Sequence, residues 1–71
     1  MTYTYLRTNN GYTHDPYGGL SKRQALQLVG MTLHDNGTPK ADAQRFAATV
    51  ELDGTPATFG PYTYTLTRDA R

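Results

Sequence analysis

Cysteine, tryptophan and isoleucine are all absent from this 71-residue chain, and neither sign of charge predominates. Without cysteine there is no disulfide framework and no thiolate-ligated metal to staple so small a fold. The same absence suits a reducing compartment, so the cytoplasm is the expected location. Seven basic and six acidic residues leave a net charge of +1. That balance gives no electrostatic reason to expect nucleic acid or anionic lipid as a partner. No apolar run approaches a membrane span, and the first residues lack a signal-peptide pattern, so no membrane association is expected. A single domain covering residues 1–71 follows from the length, with 69–71 as a frayed tail. A domain this small buries only about 60% of the surface its unfolded chain exposes. Packing, self-association or a partner must therefore supply its stability.

The best-signalled segment is Leu20 to Gly37. Ser21 followed three residues later by Gln24 is a capping box: the hydroxyl accepts an amide bond and the glutamine reaches back. Asn36-Gly37 closes the segment, because glycine takes up the left-handed conformation that ends helices. A helix over residues 22–35 is predicted. Ala25, Leu26, Val29 and Leu33 form one apolar stripe, whereas Leu28 and Met31 point elsewhere and require cover of their own. Gly30 lies mid-helix, where it costs roughly 1 kcal/mol relative to alanine. Either another backbone crosses there or the glycine is merely tolerated.

Before this helix, Thr2 to Thr8 is β-branched and aromatic and reads as a strand. Asn9-Asn10-Gly11 is a turn signal, with Tyr12-Thr13-His14 as a short returning strand. Asp15 to Gly19 then breaks the pattern. After it, Thr38-Pro39 opens a second helix, predicted over residues 39–52 from the spacing of Ala43, Phe46, Ala47 and Val50. A strand over 46–52 turning at Asp53-Gly54 competes, since Phe46, Ala48, Val50 and Leu52 also alternate. The helix is favoured because Pro39 to Ala48 is rich in helix formers. Thr55 to Phe59 is a short edge strand, demoted by Pro56. Tyr62 to Arg68 is a longer strand that echoes the first and is expected to pair with it through Thr-Thr and Tyr-Tyr contacts.

The fold expected is α+β, in the order β-β-α-α-β-β, with two helices packed on one face of a small, mainly antiparallel sheet. Its expected core is Leu6, Leu20, Leu26, Val29, Leu33, Phe46, Val50, Phe59, Tyr64 and Leu66.

Chemistry is sparse. His14 and His34 fall in no metal-ligand spacing, so no metal and no cofactor are expected. The six acidic residues are scattered and form no paired-carboxylate motif. Ser21 is explained by its capping role. Gly18-Gly19 before a helix has the composition of a phosphate cradle but not the spacing of a P-loop or dinucleotide fingerprint. An enclosed pocket is hard to build in so short a chain. Neither an enzyme nor a small-molecule substrate is expected.

Two kinds of binding remain. The first is protein recognition or self-association, because tyrosine and arginine are enriched at binding hot spots. Its candidates are Tyr3, Tyr5, Arg7, Tyr12 and Tyr17 on the strand and loop side, with Leu28 and Met31 for helical docking. The alternative is nucleic acid. Two helices followed by a hairpin have the order of a winged helix-turn-helix, which would offer Lys40, Gln44, Arg45 and Thr49 to a groove. A variant uses Tyr3, Tyr5 and Arg7 to stack single-stranded bases. Against the helix-turn-helix reading stand Asp42 and Glu51 on the second helix and the lack of a basic patch. The protein-binding reading is preferred.

Leu20-Ser-Lys-Arg-Gln-Ala25 and Ala43-Gln-Arg-Phe-Ala-Ala48, with the Tyr-Thr-Tyr-Thr ending, resemble segments of uncharacterised small proteins of actinobacteria and their phages. The resemblance implies no activity and supplies no site residues. A phage or plasmid source would imply an inhibitor or regulator of a host protein.

Overall fold

In the computed structural model, which describes residues 1–69, the Asn10-Gly11 pair turns the first strand back on itself. Both residues have positive φ, 50° and 86°. That matches the two-residue turn whose twist suits a hairpin. It joins β1 (Tyr3–Asn9) to β2 (Tyr12–Thr13), with Asn9 opposite Tyr12. The chain then continues in the same direction as β3 (Tyr17–Leu20), which pairs with β1 at Tyr3 and Tyr5 across an irregularity in register. β2 and β3 therefore share one edge of β1. The expected break at Asp15 to Gly19 is in part this additional strand.

α1 (Lys22–Asp35) begins as its capping box requires. The Gln24 amide donates to Ser21 Oγ at 3.1 Å, and the Ser21 amide donates to Gln24 Oε1 at 2.9 Å. Its end is a Schellman motif. Gly37 sits at φ +101°, its amide donates to the His34 carbonyl at 3.1 Å, and the Thr38 amide donates to the Leu33 carbonyl at 3.0 Å. α2 (Lys40–Ala47) returns antiparallel along α1. It is shorter than the 39–52 predicted. Beyond Ala47 the amides of Thr49 and Val50 bond three residues back, to Phe46 and Ala47, and the Thr49 hydroxyl also donates to the Phe46 carbonyl. These tighter bonds unwind the helix. The competing strand over 46–52 does not form; Asp53 instead bridges to Thr67.

β4 (Ala57–Phe59) and β5 (Tyr62–Arg68) form the second hairpin. The sheet runs β2-β1-β5-β4, all antiparallel, with β3 also on β1, and both helices cover one face. The fold is the expected α+β arrangement, with one strand more than anticipated. In the register of β1 and β5, Thr4 faces Thr67 and Thr8 faces Thr63, as expected of threonine pairs. The tyrosines are offset, however: Tyr5 faces Leu66 and Arg7 faces Tyr64, so Tyr5 and Tyr64 meet diagonally at 6.0 Å.

This register explains the core. Tyr5, Tyr64 and Leu66 point toward the helices and are buried with Ala25, Val29, Leu33, Ala43, Ala47 and Val50. Burying a side chain such as Leu33 contributes about 1.5–3 kcal/mol. Leu6 does not join them. It falls on the opposite face among the threonines and is only half-buried, because a period of two forbids it from sharing a side with Tyr5. Leu20, Leu26, Phe46 and Phe59 pack around the core half-buried. The alanines displace them at its centre because small residues let α1 and α2 approach closely. A Cβ on Gly30 would lie 4.0 Å from that of Ala47.

Asp69, expected in a frayed tail, is tied down. Its amide donates to the Thr2 carbonyl at 2.9 Å, and its carboxylate accepts from the hydroxyls of Thr2 and Thr4 and from the Gly19 amide. Ala70 and Arg71, the rest of that tail, lie outside the described residues.

Candidate functional site

Tyr5, Arg7, Tyr12, Tyr17, Leu28 and Met31 line one cleft of about 450 Å³ between α1 and the doubled edge of β1. The convergence has a local cause. β2 and β3 fold onto the same edge, bringing Tyr12 and Tyr17 beside Tyr5 and Arg7. Across from them α1 presents Leu28, Met31, Thr32 and Asp35, at the i, i+3, i+4, i+7 spacing of one helix face. Tyr3 does not take part. It lies at the far end of β1, opposite Arg68, with its hydroxyl toward Met1 Sδ.

The cleft has a buried base and an open rim. Tyr5 is only 3% exposed at the base, whereas Tyr12, Tyr17 and Met31 are 66, 61 and 57% exposed. Leu28, which the sequence left without cover, is half-buried and packs on the core. Met31 stays open. Tyr17 lies 6.4 Å from Tyr5, and Tyr12 meets the His14 ring edge-on at 4.9 Å. These contacts hold the rim aromatics in place without covering them.

Arg7 supplies the positive charge of a cleft that Asp15 and Asp35 also line. Its Nη2 lies 3.0 Å from His14 Nε2. A guanidinium only donates, so Nε2 accepts and the imidazole carries its proton on Nδ1. The guanidinium also stands over the Tyr62 ring, 5.8 Å from its centre. Among the described residues no carboxylate pairs with it. Its Nε and the Asn9 Oδ1 are buried without a hydrogen-bond partner, which weakens this end of β1. Below, the Thr32 hydroxyl lies within reach of both phenols. Burial pushes the Tyr5 and Tyr64 hydroxyls above their ordinary pKa, opposed in part by Thr32.

No protein-family model matches the chain, and comparison with the curated proteins and with the solved structures likewise returns no match. Function must be argued from the geometry alone.

The four residues proposed for a nucleic-acid groove do not share one surface. Lys40 and Gln44 line a seam between the helices. Arg45 instead pairs with Asp42 at 3.1 Å, and Thr49 lies beyond the helix, its hydroxyl donating to the Phe46 carbonyl at 2.7 Å. His34 sits in the last turn of α1, its Nδ1 donating to the Thr38 carbonyl at 3.1 Å. Among the described residues no group of three or more His, Asp or Glu side chains is placed to hold a metal ion. The Gly19 amide points at the Asp69 carboxylate, so the Gly18-Gly19 segment serves an internal anion.

Sequence reasoning passed over His14, Asp15, Thr32 and Asp35 as members of the cleft. A signal for two of them was present. His14 follows Tyr12 by two residues in the predicted returning strand, and Thr32 follows Leu28 by one helical turn.

Proposed function

We propose that this protein is a non-enzymatic binding module that recognises another protein through the Tyr12, Tyr17 and Met31 rim. One observation carries the reading: three large, mostly exposed side chains surround a cleft that also holds a guanidinium with no carboxylate partner among the described residues. Exposed aromatics held by their neighbours lose little conformational entropy on binding, which is why tyrosine recurs at hot spots. Methionine adds an adaptable apolar contact. Arg7 at the base favours a partner side chain or chain terminus with an acceptor oxygen. We place the protein in the cytoplasm, as a regulator or inhibitor of a host protein if its source is a phage; the lack of cysteine supports the compartment. No helix among the described residues is long and apolar enough to cross a membrane.

The test is quantitative affinity capture followed by reconstitution from purified components. A single protein that rebinds at fixed stoichiometry and is lost on Tyr12→Ala with Tyr17→Ala supports the reading. Binding that survives both substitutions, or that weakens steeply with salt as phosphate contacts do, refutes it.

A further inference from the structure

A second concavity, of about 740 Å³, runs along the outer seam of the helix pair and is walled by the helices alone. Its chemistry is ordered along its length. Lys22 and Arg23 stand at one end, Lys40 and the His34 imidazole at the other, and Leu26, Gly30 and Ala47 make an apolar floor between them. Among the described residues no carboxylate lines it. Of the nearby acids, Asp42 pairs with Arg45, Asp35 faces the tyrosine cleft, and Glu51 lies with Lys22 in an adjoining concavity.

The cations are also badly placed for the helix itself. Lys22 and Arg23 occupy the first turn of α1, which contains no acidic residue, so they oppose the positive end of its dipole. Carboxylates arriving from outside would relieve that repulsion. From Lys22 to His34 the seam extends about 18 Å, at 1.5 Å per helical residue.

We propose that this seam docks an acidic amphipathic helix of a partner protein. The fitting ligand has three to four turns, an apolar stripe, and Asp or Glu near both ends. A helix laid in the groove buries the apolar floor by the i, i+3, i+4, i+7 mode of recognition. Basic groups at both ends separate this ligand from a single-headed anionic amphiphile, which has charge at one end only. The apolar floor separates it from nucleic acid. The inference goes beyond the tyrosine cleft and stands without it.

The probe is a synthetic peptide about four helical turns long, with leucines on one stripe and glutamates at both ends, and a matching peptide with lysines at the ends. Amide shift changes in the wild-type protein are expected along α1 and α2, at Leu26, Gly30, Gln44 and Ala47. Lys22→Glu with Arg23→Glu is expected to weaken the acidic peptide at least about tenfold and to create binding for the basic one. The helix dipole favours both new carboxylates, so this variant folds. Tyr12→Ala with Tyr17→Ala leaves peptide binding unchanged, which separates failure here from failure of the cleft. The proposal is overturned if neither peptide binds the wild type, if both bind it equally, or if the shifts fall at Tyr12 and Tyr17. It is overturned as well if phosphatidylglycerol vesicles or single-stranded DNA bind the seam and the acidic peptide does not.

Discussion

The hydroxyl of Thr32 stands 3.0 Å from the phenol oxygen of Tyr64. It lies 3.4 Å from that of Tyr5 and 3.0 Å from the Val29 carbonyl. One threonine on α1 thus serves two tyrosines from two strands and ties the helix layer to the sheet. Thr32→Val keeps the shape and deletes the oxygen. It is expected to cost about 1–2 kcal/mol, because two largely buried phenols lose a partner. Urea unfolding of the two proteins measures this directly, and an unchanged midpoint would show that the phenols find water instead.

The same pair governs behaviour in alkali. Burial holds both hydroxyls above the ordinary value of 10.0. The unfolded chain therefore loses these protons first. Above pH 10 the folded state binds more protons than the unfolded one, and stability falls as pH rises. The contribution is intact below the unfolded pKa. Denaturant midpoints should decline above pH 10, and less steeply in Tyr64→Phe. Ultraviolet absorbance should show tyrosinate formation coinciding with unfolding for these two rings.

At the acid end the carboxylates of Asp69 and Asp53 act in the opposite sense. The hydroxyls of Thr2 and Thr4, with a smaller part from the Gly19 amide, hold the Asp69 carboxyl below its usual pKa. Hydrogen bonds from the Thr55 side chain and amide do the same for Asp53. Their stabilisation is present above the ordinary aspartate value and is lost as pH falls through the depressed one. Asp69→Asn with Asp53→Asn should flatten the decline of stability below about pH 4. Midpoints measured across that range decide it, and an acid limb as steep as the wild type's would rule these two out as its source.

Two glycines make opposite predictions. At Gly30 a methyl meets only ordinary contacts, 3.9 Å from the Ala43 carbonyl oxygen and 4.0 Å from the Ala47 Cβ. Gly30→Ala should stabilise the protein by about 0.5–1 kcal/mol. Gly37 closes the helix at φ +101°, where a Cβ is strained whatever the space around it. Gly37→Ala should cost about 1–2 kcal/mol. Thermal unfolding of both variants is the check. Destabilisation by Gly30→Ala would mean that α2 presses on α1 more tightly than these distances allow.

That contrast shows what was legible in the sequence. The caps of α1 and the Asn10-Gly11 turn depend on residues within a few positions of one another, so their chemistry is written locally. β3 is not, because Gly18 and Gly19 have no strand propensity and fall at the irregularity between the two pairings, Tyr17 with Tyr5 and Leu20 with Tyr3, made with a strand laid down earlier. The cleft depends on that missed strand. Tyr12 and Tyr17 were candidates for binding, as were Leu28 and Met31, but nothing local joins the two sets. Leu6 was misplaced for a related reason. Composition marks it as core, while the register fixed by Tyr5 and Leu66 turns it outward.

Leu28 and Met31 differ in a way that separates folding from binding. Both reach the cleft, but Leu28 also packs on the core, whereas Met31 is 57% exposed. Leu28→Glu places a charge against apolar neighbours and should destabilise the fold by about 1–3 kcal/mol. Met31→Glu should leave stability within about 0.5 kcal/mol of the wild type. It nevertheless puts a carboxylate on the shared ridge between the cleft and the helix seam. Affinity for the partner of the cleft should fall, since an apolar rim contact is replaced by a hydrated charge. Urea unfolding and partner titration of the same two preparations separate the effects. A Met31→Glu protein that is stable and binds undiminished would remove the methionine from the recognition surface.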